Sequence, residues 1–431
     1  MATSIQTKMD EKAITPNHND AIIFTNQPTE PINHLQSNIQ LHQLFNNYLD
    51  SKPIIKDMSA LTIAFTPSAI PHREKQIEDI GKALAPALKG FRPGNMFVYG
   101  KCGTGKSLVV NFVANELQKT ARQKVKVVYV NCKMKKTADT EYRLLANIAE
   151  QLGRKVPDTG LPTDVVYRTV FETLDAEEQV LILIIDEIDT LIAKTGDEIL
   201  YNLTRINQDL KKAKVCLIGI TNELGFLEKL EPRVRSSLSE EEFVFPPYNA
   251  LQLQDILRER AKVAFDADVL DAGVVEKAAA LAAQEHGDAR KALDLLRVAA
   301  ELAERKGDKK ITIAHVDSAQ EKVDYDRVIE TIKAQPKQSQ LVLFAVTKLS
   351  EKESMVQTGD VFDTYEKLCQ AYGLKPLTHR RVSDLIAELD MFGIIQTRVI
   401  SKGRYGRTRT ISLALDGKVK EKVMAILTEA F

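Results

Sequence analysis

The sequence predicts an α/β core with a parallel sheet, then a small helical domain, then a C-terminal winged helix. Three observations carry this. Residues 95–99, 125–130, 180–185 and 215–220 are short apolar runs separated by helix-length segments, the alternation that builds a parallel sheet. Strand signals then vanish between about 246 and 325, where apolar residues recur with a period near 3.6. Beyond about 326, helical patterns lead into two β-rich runs, 394–400 and 408–413, that flank a glycine-containing tip.

A chain of 431 residues has the length of roughly three ordinary domains. With 44% apolar and 27% charged residues it has the composition of a soluble globular protein. Its 59 basic and 59 acidic residues cancel. That balance excludes a chain basic all over, such as a nucleic-acid coat, but leaves room for a local basic patch. The aliphatic run at 180–185 is far short of the about 20 residues of a membrane span. The N-terminus lacks the apolar core of a secretion signal, so a cytoplasmic protein without membrane contact is expected. Cys102, Cys132, Cys216 and Cys369 form no C-x-x-C pair, which points to reduced thiols rather than a disulfide framework or zinc site.

Taken in order, residues 1–50 are rich in Asn, Gln, Thr, Pro and His, contain no glycine, and read as a disordered polar tail with one short helix at 41–49. Residues 51–245 form the α/β core, with helices at 107–119, 141–152, 165–174 and 198–211 between its strands. Residues 246–325 form the helical domain, entered at Pro246-Pro247, with helices at 251–265, 274–286 and 289–304. Residues 326–431 form the third unit. Its helices fall at 327–335, 338–349, 361–372 and 378–391, the last capped by Thr378 and closed by Gly393. A hairpin follows, and a final amphipathic helix occupies 417–431.

Residues 100–107 read Gly-Lys-Cys-Gly-Thr-Gly-Lys-Ser and match G-x-x-x-x-G-K-[ST] without departure, between a strand and a helix as a P-loop requires. The backbone N–H groups of such a loop cradle phosphates at a helix N-terminus. Gly103, Thr104, Gly105, Lys106, Ser107 and Leu108 therefore bind nucleotide, with Lys106 on the β- and γ-phosphates and Ser107 on Mg2+. The strand 180–185 ends in Asp186-Glu187; Asp186 holds the metal and Glu187 polarises the attacking water. Asp189 is read as structural. Asn222, at the end of the neighbouring strand, helps hold that water, or is an ordinary turn residue.

Between residues 375 and 409 lie eight basic and three acidic residues. The acids fall late in the helix 378–391, and the bases fall at its start and in the hairpin. That asymmetry suits a recognition helix entering the major groove by its N-terminal end. Thr378, His379, Arg380 and Arg381 are the candidate contacts there, and Lys402, Arg404 and Arg407 are those of the wing.

Together these residues resemble the AAA+ superfamily, and within it the archaeal replication initiators related to origin-recognition-complex subunit one and the cell-division-cycle helicase loader. The resemblance runs through Pro71-His72-Arg73-Glu74, the P-loop, Asp186-Glu187-Ile188-Asp189, residues 231–238 and 245–250, and Gly287-Asp288-Ala289-Arg290. It implies that Asn222 is sensor 1 and Arg290 sensor 2. Arg233, or else Arg235, becomes an arginine finger for a neighbouring subunit. Tyr248 and Arg260 line the nucleotide, and Asn131 restrains Glu187. It further implies a DNA-touching insertion within 134–173, with Lys133, Lys135, Lys136 and Arg143 as its positive charge. Cys102 departs from the small or hydroxyl residue expected at its place. The implied function is an ATP-dependent replication initiator on double-stranded origin DNA. It would use ATP or ADP with Mg2+ as a slow switch, recruit or load the minichromosome-maintenance helicase, and assemble with other initiator subunits. Two rival readings remain at this point: a nucleotide-bound DNA regulator without hydrolysis, and a transposition or plasmid-partition ATPase.

Overall fold

A run such as 180–185, apolar on both faces, is stable as a strand only where helices cover both sides of the sheet. The computed structural model describes residues 53–431, together with Phe45, except 68, 122–123, 134–139, 158, 239, 352–354, 402–406 and 416. At 400–401, 407–408 and 417–418 it describes the backbone alone. Apart from Phe45, the expected tail 1–50 lies outside the described residues.

The core runs α1 (Glu74–Leu84), β1 (Asn95–Gly100), α2 (Lys106–Thr120), β2 (Val125–Asn131), α3 (Glu141–Gln151), α4 (Thr163–Leu174), β3 (Val180–Asp186), α5 (Ile188–Thr195), α6 (Glu198–Asp209), β4 (Lys214–Thr221), α7 (Pro232–Leu238) and β5 (Glu240–Phe245). Its strands pair in the order β2-β3-β4-β1-β5, every pair parallel. Strand periodicity sorts the side chains. Met96, Val98, Ile182, Ile184, Ile218 and Ile220 pack with α1 and α2. Phe97, Tyr99, Leu181, Leu183 and Ile185 pack with α3, α4 and α6. Asp186 continues the first set and so ends on the face of α2. The register sets Asn131 opposite Asp186, Asp186 opposite Ile220, and Tyr99 opposite Thr221. The loops leaving β1, β3 and β4 therefore open along one edge, the carboxyl edge where α/β sheets bind ligands.

Strand β5 was not foreseen. It carries Glu240, Glu241 and Glu242 along an outer strand, the charge that guards sheet edges against pairing with other chains. Those acids hide the apolar alternation by which a strand is read.

The helical domain, which lies over the carboxyl edge of the core as a lid, comprises α8 (Ala250–Ala264), α9 (Val274–Gln284), α10 (Ala289–Lys306) and α11 (Ile313–Ala334). Asn249 and Gln252 form a capping box at α8. Residues 54–61, expected in the core, pack on the lid instead: Ile54, Ala60 and Leu61 join its apolar cluster. A carboxylate oxygen of Glu304 accepts from Ile54 N at 2.8 Å and Ile55 N at 3.1 Å.

The third unit comprises α12 (Lys337–Leu349), β6 (Val356–Gln357), α13 (Thr358–Ala371), α14 (His379–Met391), β7 (Ile395–Ser401), β8 (Arg407–Leu413) and α15 (Gly417–Ala430). Its antiparallel sheet has the order β6-β8-β7. The expected division at 325/326 falls inside α11, which gives Val316 and Ala319 to the lid cluster and Ile332 to the winged-helix cluster. Among the described residues, no helix is long and apolar enough to cross a membrane.

Asn95, on β1, ties β4 and the end of α7 together. It is 2% exposed. Its Nδ2 donates to Leu238 O at 2.7 Å, and its Oδ1 accepts from Leu217 N at 3.1 Å. Asn95→Ala leaves both backbone groups buried without a partner, at a cost of about 1–3 kcal/mol. The expected result in urea is a lower unfolding midpoint with an unchanged slope.

Candidate functional site

Helix α2 starts where β1 ends, and the turn between them needs backbone conformations that glycine adopts most readily. Gly103 and Gly105 have φ of 70° and 87°. Space is a second constraint. A Cβ on Gly103 would lie 1.7 Å from Asp288 Oδ1, and one on Gly105 would lie 2.9 Å from the Tyr248 hydroxyl. Asp288 and Tyr248 flank the lid helices α10 and α8, so the lid closes directly onto this loop.

Lys106 is buried. Its Nζ donates to Gly100 O at 2.7 Å, Lys101 O at 2.8 Å and Asn222 Oδ1 at 2.9 Å. Burial draws its pKa down, with the charges of Cys102 and Asp186 opposing. Its hydrogen-bond partners are all neutral, so this buried cation has a clear electrostatic use for an anion. Ser107 Oγ and the Tyr129 hydroxyl each donate to Asp186 Oδ2 at 2.6 Å, while Asp186 Oδ1 accepts from Glu187 N at 2.9 Å. Burial pushes the Tyr129 hydroxyl pKa up, and the hydrogen bond to Asp186 adds to the shift. A hydroxyl and a carboxylate side by side are hard oxygen donors that suit Mg2+.

Glu187 sits in the left-handed region at φ 54° and ψ 46°, a conformation that costs a non-glycine residue about 1–3 kcal/mol and collects at functional sites. Lys133 Nζ lies 3.5 Å from its Oε2. Asn131, expected to restrain Glu187, accepts from Lys133 N at 2.9 Å. Asp189 accepts from Thr221 Oγ1 at 2.7 Å, the structural role expected of it.

From the lid, Ala289 N donates to Gly103 O at 3.2 Å, and Arg290 Nη1 meets Cys102 Sγ at 3.3 Å. The cleft between loop and lid has a volume of about 820 Å³; Lys101, Cys102 and Asn222 face Asp288 and Arg290 across it. Leu108 packs beneath it, against the α2-side cluster. Tyr248 is buried and carries the Arg73 guanidinium 3.9 Å from its ring centre. Arg73 was read only as part of a motif, yet it is 2% exposed and bonds Thr104 O at 3.0 Å and Pro246 O at 2.6 Å. Arg260 is not brought to the loop: it donates to Ala60 O and Phe65 O, each at 3.3 Å, and pins the 54–65 segment. Arg233 stays outside its own chain's cleft, exposed, on Glu231 at 2.6 Å and near the Tyr201 ring. Arg235 is exposed on the same helix.

In the third unit, Thr378 Oγ1 caps α14 by accepting from Arg381 N at 3.4 Å. His379 packs against Phe362 in a tilted arrangement with ring centres 4.9 Å apart. Arg380 and Arg381 are exposed, and Arg381 folds back towards Glu388 at 3.3 Å. Lys135, Lys136, Lys402 and Arg404, and the side chain of Arg407, lie outside the described residues. Tyr129 escaped sequence reasoning, and Lys133 and Arg73 were named there without their places in this site. Tyr129 shares a strand face with Asn131, but only the strand register reveals that it reaches Asp186.

Three segments match known families: an AAA domain over 89–227, a Cdc6 AAA+ ATPase-type lid domain over 254–321, and the CDC6 C-terminal winged helix domain over 330–422. The chain is 53% identical over 381 residues to the ORC1-type DNA replication protein of Thermococcus onnurineus, spanning 86% of this chain and 91% of that one. It is 49% identical over 384 residues to ORC1-type DNA replication protein 1 of Archaeoglobus fulgidus, spanning 88% and 93%. The structure of the Aeropyrum pernix ORC1 protein in complex with DNA matches with a TM-score of 0.77 at 44% identity, covering 87% of this chain and 98% of that one. Cdc6p from Pyrobaculum aerophilum, at 22% identity and a TM-score of 0.56, shares the fold.

Gly103→Ala tests the contact between loop and lid. The substitution combines a left-handed φ, costing about 1–3 kcal/mol, with a collision against Asp288. A fluorescent ATP analogue should bind roughly tenfold or more weakly, while far-UV circular dichroism stays unchanged.

Proposed function

The chain belongs to the ORC1-type DNA replication proteins, and from that membership we propose an ATP-driven initiator that binds origin DNA and recruits or loads the minichromosome-maintenance helicase. One observation carries the ATPase reading. Lys106 bonds Asn222, and Ser107 bonds Asp186, so residues that follow three separate strands meet as two hydrogen-bonded pairs at one edge of the sheet, beside Glu187. Lys106 neutralises the β- and γ-phosphates, and the backbone of 103–107 holds them in place. Ser107 and Asp186 would hold Mg2+, which when bound offsets the charge of the triphosphate. Glu187 orients the attacking water and accepts its proton. Lys133 Nζ, 3.5 Å from its Oε2, helps hold the carboxylate in place, and the protein works as a slow switch rather than a fast motor. Asn222 steadies the water from the neighbouring strand. Arg290 reports the γ-phosphate to the lid, and Arg233 acts on the site of an adjacent subunit.

For DNA, the support is the winged-helix match together with the exposed start of α14. Thr378, His379, Arg380 and Arg381 contact the duplex there, with Lys402, Arg404 and Arg407 on the wing. The related ORC1 protein of Aeropyrum pernix has been solved in complex with DNA. In this reading the protein works in the cytoplasm at the nucleoid, alone or beside other initiator subunits.

Two experiments test the two halves. Glu187→Gln should bind ATP as before and lose turnover by on the order of 10²–10⁴-fold, the span of general-base catalysis; turnover preserved in this variant overturns the assignment. Arg380→Ala should weaken origin binding and reduce the slope of log affinity against log salt by about 1, read by fluorescence anisotropy across a salt series.

A further inference from the structure

Helix α11 is one rod of 22 residues, about 33 Å long at the rise of an α-helix, and it belongs to two apolar cores. Val316 and Ala319 anchor it in the lid, and Ile332 anchors it in the winged helix. Ion pairs also tie it to the turn that carries Arg290. Lys291, next to Arg290 in the chain, has a side chain only 12% exposed. Its Nζ donates to Asp324 Oδ1 on α11 at 3.2 Å and pairs with Glu285 at the end of α9. Glu285 in turn lies 3.7 Å from Arg327 on α11. Two charges of this group, Asp324 and Arg327, ride on α11; Glu285 rides on the α9–α10 turn, and Lys291 on the first turn of α10 beside Arg290.

We propose that Lys291 and Asp324 are positioning residues that transmit the nucleotide state of the cleft to the winged helix. The inference rests on reading the cleft as an ATP site. Ion pairs suit the task because they fix direction, whereas apolar contacts tolerate sliding. A lysine this buried holds its place only while its carboxylates stay beside it, since a buried charge stripped of a partner is strongly disfavoured. Any shift of Arg290 and the start of α10 therefore moves Lys291, and with it Asp324 and the rod. The rod ends inside the winged-helix core, so that domain turns with it. Coupling of this kind is reciprocal, and DNA on the winged helix alters nucleotide affinity by the same factor.

The test uses the full chain, hydrogen exchange of the 320–334 segment, and DNA anisotropy in ATP and in ADP. In the unmodified protein, ATP should change exchange in that segment and DNA affinity should differ between the two nucleotides. Asp324→Ala should bind ATP normally and bind DNA, yet its exchange should no longer respond to ATP, and its DNA affinities in the two nucleotides should become equal. Asp324→Glu should restore the response. Lys291→Met combined with Asp324→Ala should do no more than either alone, the non-additivity of residues acting together. An Asp324→Ala protein that keeps the full response overturns the proposal. So does an unmodified protein whose 320–334 segment ignores ATP, and that outcome leaves the ATPase reading standing. Failure of ATP to bind at all overturns both and is read directly from the binding arm.

Discussion

The geometry of the site depends on where parallel strands stop. A parallel sheet must be covered on both faces, so its connections cross as helices and its functional loops gather at the carboxyl edge. Here the register brings Asn131, Asp186 and Ile220 level across three strands and sets Tyr99 opposite Thr221. The alternation of strand side chains then decides the chemistry. Asp186 falls on the α2 face, within 2.6 Å of Ser107 and of Tyr129. A slip of one residue in β3 would turn this carboxylate to the opposite face and replace it with an isoleucine. The hydrophobic run of β3 therefore sets the position of the Asp186–Glu187 pair as much as it builds the core.

Arg73 extends the same constraint to the lid. A buried guanidinium is costly unless its donors are met, and here they are met by carbonyl oxygens of the P-loop and of the linker into α8. Burial lowers its pKa, with the interaction with Tyr248 opposing. The residue thus clamps together three segments that must otherwise move separately. Gly287 sharpens the point: a Cβ there would meet the Tyr248 carbonyl at 2.2 Å. The aromatic ring under Arg73 is held between the two loops that contact the nucleotide cleft.

What the sequence disclosed follows this division. The four central strands, the P-loop and the Asp186-Glu187 pair were legible because each is a local pattern: an apolar run, a glycine spacing, a strand ending in acids. The lid and winged helix were legible as helical periodicity and a basic hairpin. Strand β5 was not, because an outer strand is stabilised against misassembly by charge, and Glu240 to Glu242 erase the alternation. Residues 54–61 were not, because a short segment can pack on either neighbouring body and only three-dimensional complementarity chooses. Tyr129 and Lys133 joined the site through register and chain reversal, which no local pattern records. The resemblance places Arg260 at the nucleotide, and its hydrogen bonds to the carbonyls of Ala60 and Phe65 were not legible in the sequence.

The net charge of zero takes on a different meaning at the level of single contacts. Arg381 faces Asp384 and Glu388 along α14. To engage a phosphate it must exchange those carboxylates for the backbone of the duplex, and the gain is the difference between two similar interactions. Such internal pairing lowers indiscriminate attraction to DNA, because any duplex offers phosphates but few offer the geometry that compensates for the lost pairs. An acidic complement inside a basic domain thus lowers its raw attraction for a phosphate backbone. Neutrality and DNA binding are compatible because the charges that cancel in the sum also compete, residue by residue, for the same arginines.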